Sequence, residues 1–206
     1  MKSPCANCGK PADQTCGGCD LEVYCDASCQ KEHWPEHQQS CDNEAGSIDV
    51  RFGRSKDMTL TAYLALKRDF KTLSELVEKE KLVGALDAAS GVTLLAPDNR
   101  AFKIFLDKIN KSAVQENDFK NILLYHVLQG TTTKKKIVSL VSKRPATVAT
   151  DYGTKTIELS YNDRRKQVLI NGIAAVTRPD ILVKNGVIHR IDTVLVPDDI
   201  AERLFR

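Results

Sequence analysis

Seven cysteines and one histidine in the first 41 residues are spaced Cys5-x2-Cys8-x7-Cys16-x2-Cys19-x5-Cys25-x3-Cys29-x7-His37-x3-Cys41. Thiolate sulfur and imidazole nitrogen are the donors zinc favours, and a structural site takes four of them, so this run predicts two structural Zn2+ ions with no donor left over. A Cys-x2-Cys pair folds both thiolates onto one ion from a tight turn, and Cys5/Cys8 and Cys16/Cys19 each supply one. Cys25/Cys29 and His37/Cys41 are spaced i, i+4, which on a helix places both donors on one face, about 6 Å apart at Cβ. Sites filled by protein donors leave no open position for water or substrate, so the predicted chemistry is structural rather than catalytic. Spacing alone leaves the pairing open between a sequential arrangement, with the first four cysteines together, and an interleaved one.

A disulfide framework is the rival use of so many cysteines in a small domain. The odd count, a histidine at the eighth ligand position and a start, MKSPCANCG, without an apolar signal-type run all favour reduced, metallated thiols. The expectation is an intracellular protein, cytoplasmic or nuclear, that is not secreted. The elements around these donors have little to bury, chiefly Leu21, Val23, Tyr24 and Trp34. A unit this small does not fold on apolar burial alone. Structural zinc, at roughly 10–16 kcal/mol per site in small peptides, supplies the difference, and the segment is expected to be unfolded without metal.

The segment CANCGKPADQTCGGCDLEVYCDASCQKEHWPEHQQSC, residues 5–41, resembles a MYND-type zinc finger, in its eight ligands and in the elements around Tyr24, Gln30 and Trp34. The resemblance implies a cross-brace, with Cys5, Cys8, Cys25 and Cys29 on the first zinc and Cys16, Cys19, His37 and Cys41 on the second. His33, four residues before His37, is a conceivable substitute ligand but is expected to be solvated. The family also implies recognition of short proline-rich peptides through a groove containing a Gln and a Trp four residues apart, here Gln30 and Trp34. An exposed aromatic beside an amide suits a preordered polyproline segment. The bland alternative for Trp34 is core packing in a tiny domain.

Residues 42–56 are polar, with small residues and no clear period, and read as a linker. From residue 57 the pattern changes. Leu73, Leu76, Val77, Leu82, Val83 and Leu86 recur at helical spacing, VTLLAP is a short apolar strand, and Asp98 is placed to cap a helix over NRAFKIFLDKIN. A further helix is expected at about residues 116–127, ended by Gly130. After Lys134 the period shifts to two, through ATVAT, TKTIELSY, KQVLI, AAVT, ILVK and VIHRIDTVLV. Helices followed by strands predict an α+β domain.

TLLAPDNRAF (93–102), LLYHVLQG (123–130) and NGVIHRIDTVLVP (185–197) are similar, in order and separation, to the successive hallmarks of a fasciclin-like domain over residues 57–198, leaving 199–206 as a C-terminal tail. The resemblance implies a wedge-shaped α+β module without enzymatic activity, so the fold expected for the whole chain is a small zinc-stabilised cross-brace finger followed by an α+β fasciclin-like domain. Tyr125 and His126 fall in a motif linked to receptor contact in some members. They, and His189, are read here as packing and hydrogen-bonding groups.

Residues 1–50 hold three lysines and nine acidic residues, net −6, whereas residues 51–206 hold 27 basic and 18 acidic residues, net +9. An acidic finger is a poor ligand for phosphate backbones, so nucleic acid is not the partner expected for it. No nucleotide-binding loop or nucleophile elbow occurs, and no apolar stretch is long enough to span a membrane. The predicted function is a nonenzymatic adaptor whose finger recruits a short, proline-rich segment of a protein partner and whose second domain offers another surface. Binding of nucleic acid or another anionic partner by the basic domain, with runs at Lys134–Lys136 and Arg164–Lys166, is the alternative. A lysine methyltransferase-related enzyme is the weaker one, because the residues after Cys41 carry none of its cofactor motifs.

Overall fold

The structure, a computed structural model, describes residues 3–12, 14–15, 23–37, 55–142 and 144–206, which divide between two compact units, Met1–Arg54 and Ser55–Arg206. The first unit contains two minimal hairpins. β1 (Ser3–Pro4) pairs with β2 (Pro11–Ala12), and β3 (Gln14–Thr15) pairs with β4 (Val23–Tyr24). Helix α1 (Ala27–His37) follows directly. Among the described residues, the apolar interior of this unit is Cys5, Ala12 and Tyr24 with a few partly buried neighbours, as expected of a segment that cannot fold on burial alone.

The second unit is α+β. Four helices, α2 (Leu60–Leu66), α3 (Lys71–Lys79), α4 (Val83–Ala88) and, after strand β5 (Val92–Pro97), α5 (Asn99–Lys108), precede α6 (Asp118–Tyr125) and strand β6 (Val127–Leu128). Helix α7 (Lys134–Leu140) leads into β7 (Ala146–Ala149), β8 (Thr156–Asn162), β9 (Gln167–Ile170), β10 (Ala174–Val183) and β11 (Gly186–Ile191), and α8 (Asp198–Leu204) ends the fold. The seven strands form one sheet in the order β6-β5-β11-β10-β9-β8-β7, in which β5 and β11 run parallel and every other pair antiparallel. A bridge between Leu128 and Thr150, with the Asp151 amide donating to Val127 at 2.9 Å, joins the two ends of the sheet into a near-barrel. Closure removes most of the open edge that a seven-stranded sheet would otherwise present.

Strand β5 explains why VTLLAP is apolar throughout rather than alternating. Leu94 and Ala96 face a core filled by the helices, through Leu60, Leu73, Phe102 and Ile122, while Leu95 faces a second core inside the barrel with Leu128, Ile157, Leu159 and Ile170. A strand covered on both faces reads as a continuous apolar run. Asp98 caps α5 as the sequence predicts, accepting from the Ala101 amide at 2.8 Å. Its other oxygen accepts from Arg190 of β11 at 2.8 Å, and Arg190 also donates to Asp69 at 2.7 Å, so one guanidinium ties the helical layer to the sheet. Gly186 is required by close approach: a Cβ there would collide with the backbone of Val92 in the neighbouring strand.

Several expectations are corrected. The helix expected at about 116–127 is shorter, because Val127 and Leu128 leave it to pair with Leu94 and Thr93. Helix α7 occupies residues for which no helix was expected. Its first turn holds three lysines, which oppose the helix macrodipole, and it is capped by Thr133, whose hydroxyl accepts from the Lys136 amide. It forms because Ile137 and Val141 bury against the barrel core. The residues after 198, expected as a tail, form α8, with Ile200 and Leu204 in the helical core. The expected linker lies outside the described residues, except Ser55 and Lys56 in a short 3-10 turn.

Candidate metal centre

The Cys5/Cys8 turn is shaped by three backbone bonds: the Gly9 amide donates to Cys5 at 2.9 Å, the Cys5 amide to Lys10 at 2.7 Å, and the Ala6 amide to Val23 at 2.8 Å. Gly9 has φ +73, a conformation glycine adopts without steric cost. On the other side of the site, Asp26 caps α1 by accepting from the Cys29 amide at 2.8 Å, which fixes the turn that carries Cys25 and Cys29. Asn7 in the first turn donates to Glu32 in α1 at 2.9 Å and joins the two halves. The Asp26 cap was readable in the sequence as an acid three residues before Cys29; the Asn7–Glu32 bond, spanning 25 residues, had no local signal.

These elements bring Cys5, Cys8, Cys25 and Cys29 together, with all four sulfurs within 4.8 Å of one another. Cys8 and Cys25 are 3.6 Å apart at sulfur and Cys25 and Cys29 3.5 Å. A tetrahedral Zn–S4 centre with bonds of about 2.3 Å has sulfur–sulfur edges of roughly 3.8 Å, so the donor set fits the ion in both chemistry and size. Burial raises the Cys5 thiol, but the amides of Cys8, Cys25 and Asn7 outweigh it and bring it down to about 6. Cys25 is pushed up, first by its hydrogen bond with Cys29 and then by burial. Four thiols so close cannot all ionise without a compensating cation, and a bound dication reverses this. Zinc, when bound, would supply that charge and lock the knuckle to the helix.

Cys16, Cys19 and Cys41 and the side chain of His37 lie outside the described residues. Gln30 and Trp34 both lie on α1, four residues apart and therefore on one face, and both are half-buried. His33 departs from the solvated state expected of it: it is half-buried, and its Nδ1 is 3.0 Å from the hydroxyl of the buried Tyr24.

In the second unit, Tyr125 and His126 hold helix to sheet. Tyr125 donates to the Thr156 carbonyl at 3.1 Å and accepts from Asn171 at 3.2 Å. His126 is buried, with Nδ1 2.7 Å from the Ile122 carbonyl and Nε2 accepting from the Leu195 amide at 3.0 Å. Those partners fix a neutral ring with its proton on Nδ1. His189 holds the opposite tautomer: Nε2 lies 2.7 Å from the Thr132 carbonyl and Nδ1 accepts from the Asp180 amide at 3.1 Å. Burial lowers both, His126 to about 4. Among the described residues no helix is long and apolar enough to cross a membrane.

Comparison with known proteins agrees with both units. The family model of the fasciclin domain matches residues 68–197, and that of the MYND finger matches residues 5–41. Transforming growth factor-beta-induced protein ig-h3 of Sus scrofa is 32% identical over 143 residues, 69% of this chain and 20% of that protein. Protein CBFA2T2 of Xenopus laevis is 43% identical over 37 residues, 18% of this chain and 6% of its own length. The chain thus spans about a fifth of the first curated relatives it matches. Among solved structures, a FAS1 domain pair from the insect cell adhesion molecule fasciclin I superposes with a TM-score of 0.58 at 19% identity, covering 70% of this chain and 53% of that one, a likeness of fold. Family match, near-barrel topology and four-cysteine cluster together establish that this chain belongs to the fasciclin family and carries a MYND zinc finger ahead of its fasciclin domain.

Proposed function

We propose that the protein is a nonenzymatic adaptor in which two zinc ions hold the finger, Cys5, Cys8, Cys25 and Cys29 binding the first and Cys16, Cys19, His37 and Cys41 the second. The observation that carries this reading is the four-thiol cluster, whose sulfurs lie within 4.8 Å of one another and equal in number the donors a closed structural zinc site takes, with none left for substrate. Finger and fasciclin domain are both of noncatalytic kinds and suit protein interaction. The finger spans residues 5–41 and a linker 42–56, and the second domain runs from residue 57 through α8. Gln30 and Trp34 form the recruiting face, because they share the helix that Cys29 anchors and so acquire a fixed orientation when metal binds. The occupant is a short proline-rich segment, whose preordered backbone lowers the entropy cost of docking. Thiols gathered for metal rather than paired as disulfides suit a reducing compartment, cytoplasmic or nuclear.

Titration of the zinc-loaded protein with proline-rich peptides, read by the fluorescence of Trp34, the only tryptophan in the chain, tests this. A saturable change that is lost in Gln30→Ala is expected. A folded, zinc-loaded finger whose Trp34 emission no such peptide perturbs would remove the groove from the proposal and leave the finger as a structural cap.

A further inference from the structure

Two basic runs that lie 30 residues apart in the sequence are both anchored beside strand β10 in the fold. Strands β8 and β9 pair down to Asn162 and Gln167, so Asp163–Lys166 form the hairpin tip. The Asn162 carboxamide oxygen accepts from the amides of Arg164 and Arg165, both at 3.1 Å, which fixes the turn that displays them. Strand β9 pairs with β10 through Leu169–Ala175, and Gln167 donates to the Val176 carbonyl at 3.4 Å. Four residues beyond Val176, Asp180 accepts from the Lys134 amide at 2.7 Å and so ties the start of α7, with its three lysines, to the same strand. The Lys135, Lys136, Arg164, Arg165 and Lys166 residues are exposed.

We infer that this end of the barrel, built from Lys134–Lys136 and Arg164–Lys166, is a docking surface for an acidic segment of a protein partner. It is separate from the finger's peptide face and does not depend on that reading. The charge lies on exposed residues of a hairpin tip and a helix start, which suits an extended ligand with several anions. Arginine guanidinium takes carboxylate in a two-pronged bond, a geometry a single lysine does not offer. Two carboxylates, Asp163 and Asp180, are interspersed among the cations. They interrupt a track for a continuous phosphate backbone, whereas a polypeptide carries amide donors that meet carboxylates as well as anions that meet cations. No aromatic residue stands within either basic run to stack on a base.

The test uses the full zinc-loaded chain and a labelled peptide alternating glutamate with serine and glycine, followed by fluorescence anisotropy at low ionic strength. Saturable binding is expected, weakened about tenfold or more in Lys135→Glu/Arg164→Glu/Arg165→Glu and by added salt. The variant Lys103→Glu/Lys108→Glu/Lys111→Glu carries the same change of net charge on residues outside the surface and is expected to bind as the parent does. Circular dichroism confirms that both variants fold. Equal weakening in the two variants, or no peptide binding by the parent, overturns the inference. A DNA duplex or heparin that binds more tightly than the peptide, through the same three residues, overturns the choice of an acidic protein segment in favour of a polyanion.

Discussion

The buried ring of His126 gives the fasciclin domain a specific acid sensitivity. Its Nδ1 proton is committed to the Ile122 carbonyl and its Nε2 lone pair to the Leu195 amide, so protonation must break the second bond and place a charge where none is solvated. Burial takes the ring from 6.5 to about 4. Since the unfolded chain binds the proton first as pH falls, stability is complete above the unfolded value and is lost on descending through the window between the two. At 1.36 kcal/mol per unit, the loss is about 2 kcal/mol between about pH 7 and about pH 5, and about 3 kcal/mol by about pH 4. The upper window is the informative one, because Asp118 and Asp199 are both held below the ordinary carboxylate value, first by Arg203 and by Lys155 respectively, and release their contribution only at lower pH. Urea unfolding of the full chain, followed by far-ultraviolet circular dichroism, measures the effect in the parent and in His126→Gln. The variant is expected to be less stable at neutral pH, by about 1–3 kcal/mol for the unsatisfied backbone partner. Its stability is also expected to fall less steeply with pH, by about 2 kcal/mol over that window. Contributions from the finger and from His189, lowered in the same direction, are common to both proteins and cancel. Identical pH slopes would refute the assignment of a neutral, doubly bonded His126.

Two further expectations follow from packing and charge. Gly186→Ala forces β11 away from Val92 and should destabilise the domain by about 1–3 kcal/mol, a loss visible as a lower midpoint in urea; an unchanged midpoint would show that the two strands have room to separate. Arg203→Met leaves the buried Asp118 carboxylate without the guanidinium that donates to it at 2.7 and 2.9 Å, and should cost about 3–5 kcal/mol by the same assay, whereas simple loss of a surface pair would cost less than about 1 kcal/mol.

Local chemistry was legible before any fold was known. The ligand spacing marks the knuckle because it is set within a few residues of backbone, and Asp98 announces the start of α5 because a cap bonds three residues ahead. Cys25 and Cys29, expected on one helical face, instead flank the start of α1, since Cys25 precedes Ala27 in the capping turn of Asp26. The run VTLLAP declared a short apolar strand, whereas its burial on both faces, and which residue meets which core, depends on neighbours far along the chain. Helix α7 was missed because three lysines in its first turn oppose helix formation locally, and only burial of Ile137 and Val141 against β8 and β9 reverses the balance. The role of His33 was misread for a related reason, since its partner Tyr24 belongs to another element.

The sequence by itself determined that the first unit carries metal-ligand spacing, that the second is α+β, and which families both resemble; these rest on residue types and intervals that any conformation preserves. Tertiary structure alone decided which nitrogen of His126 and of His189 carries its proton, how the first turn is tied to α1 through Asn7 and Glu32, and that the start of α7 is held against β10 by Asp180. Each of those outcomes follows from contacts between residues far apart in the chain, and a strand's partner is fixed by the burial of its whole face rather than by its own pattern.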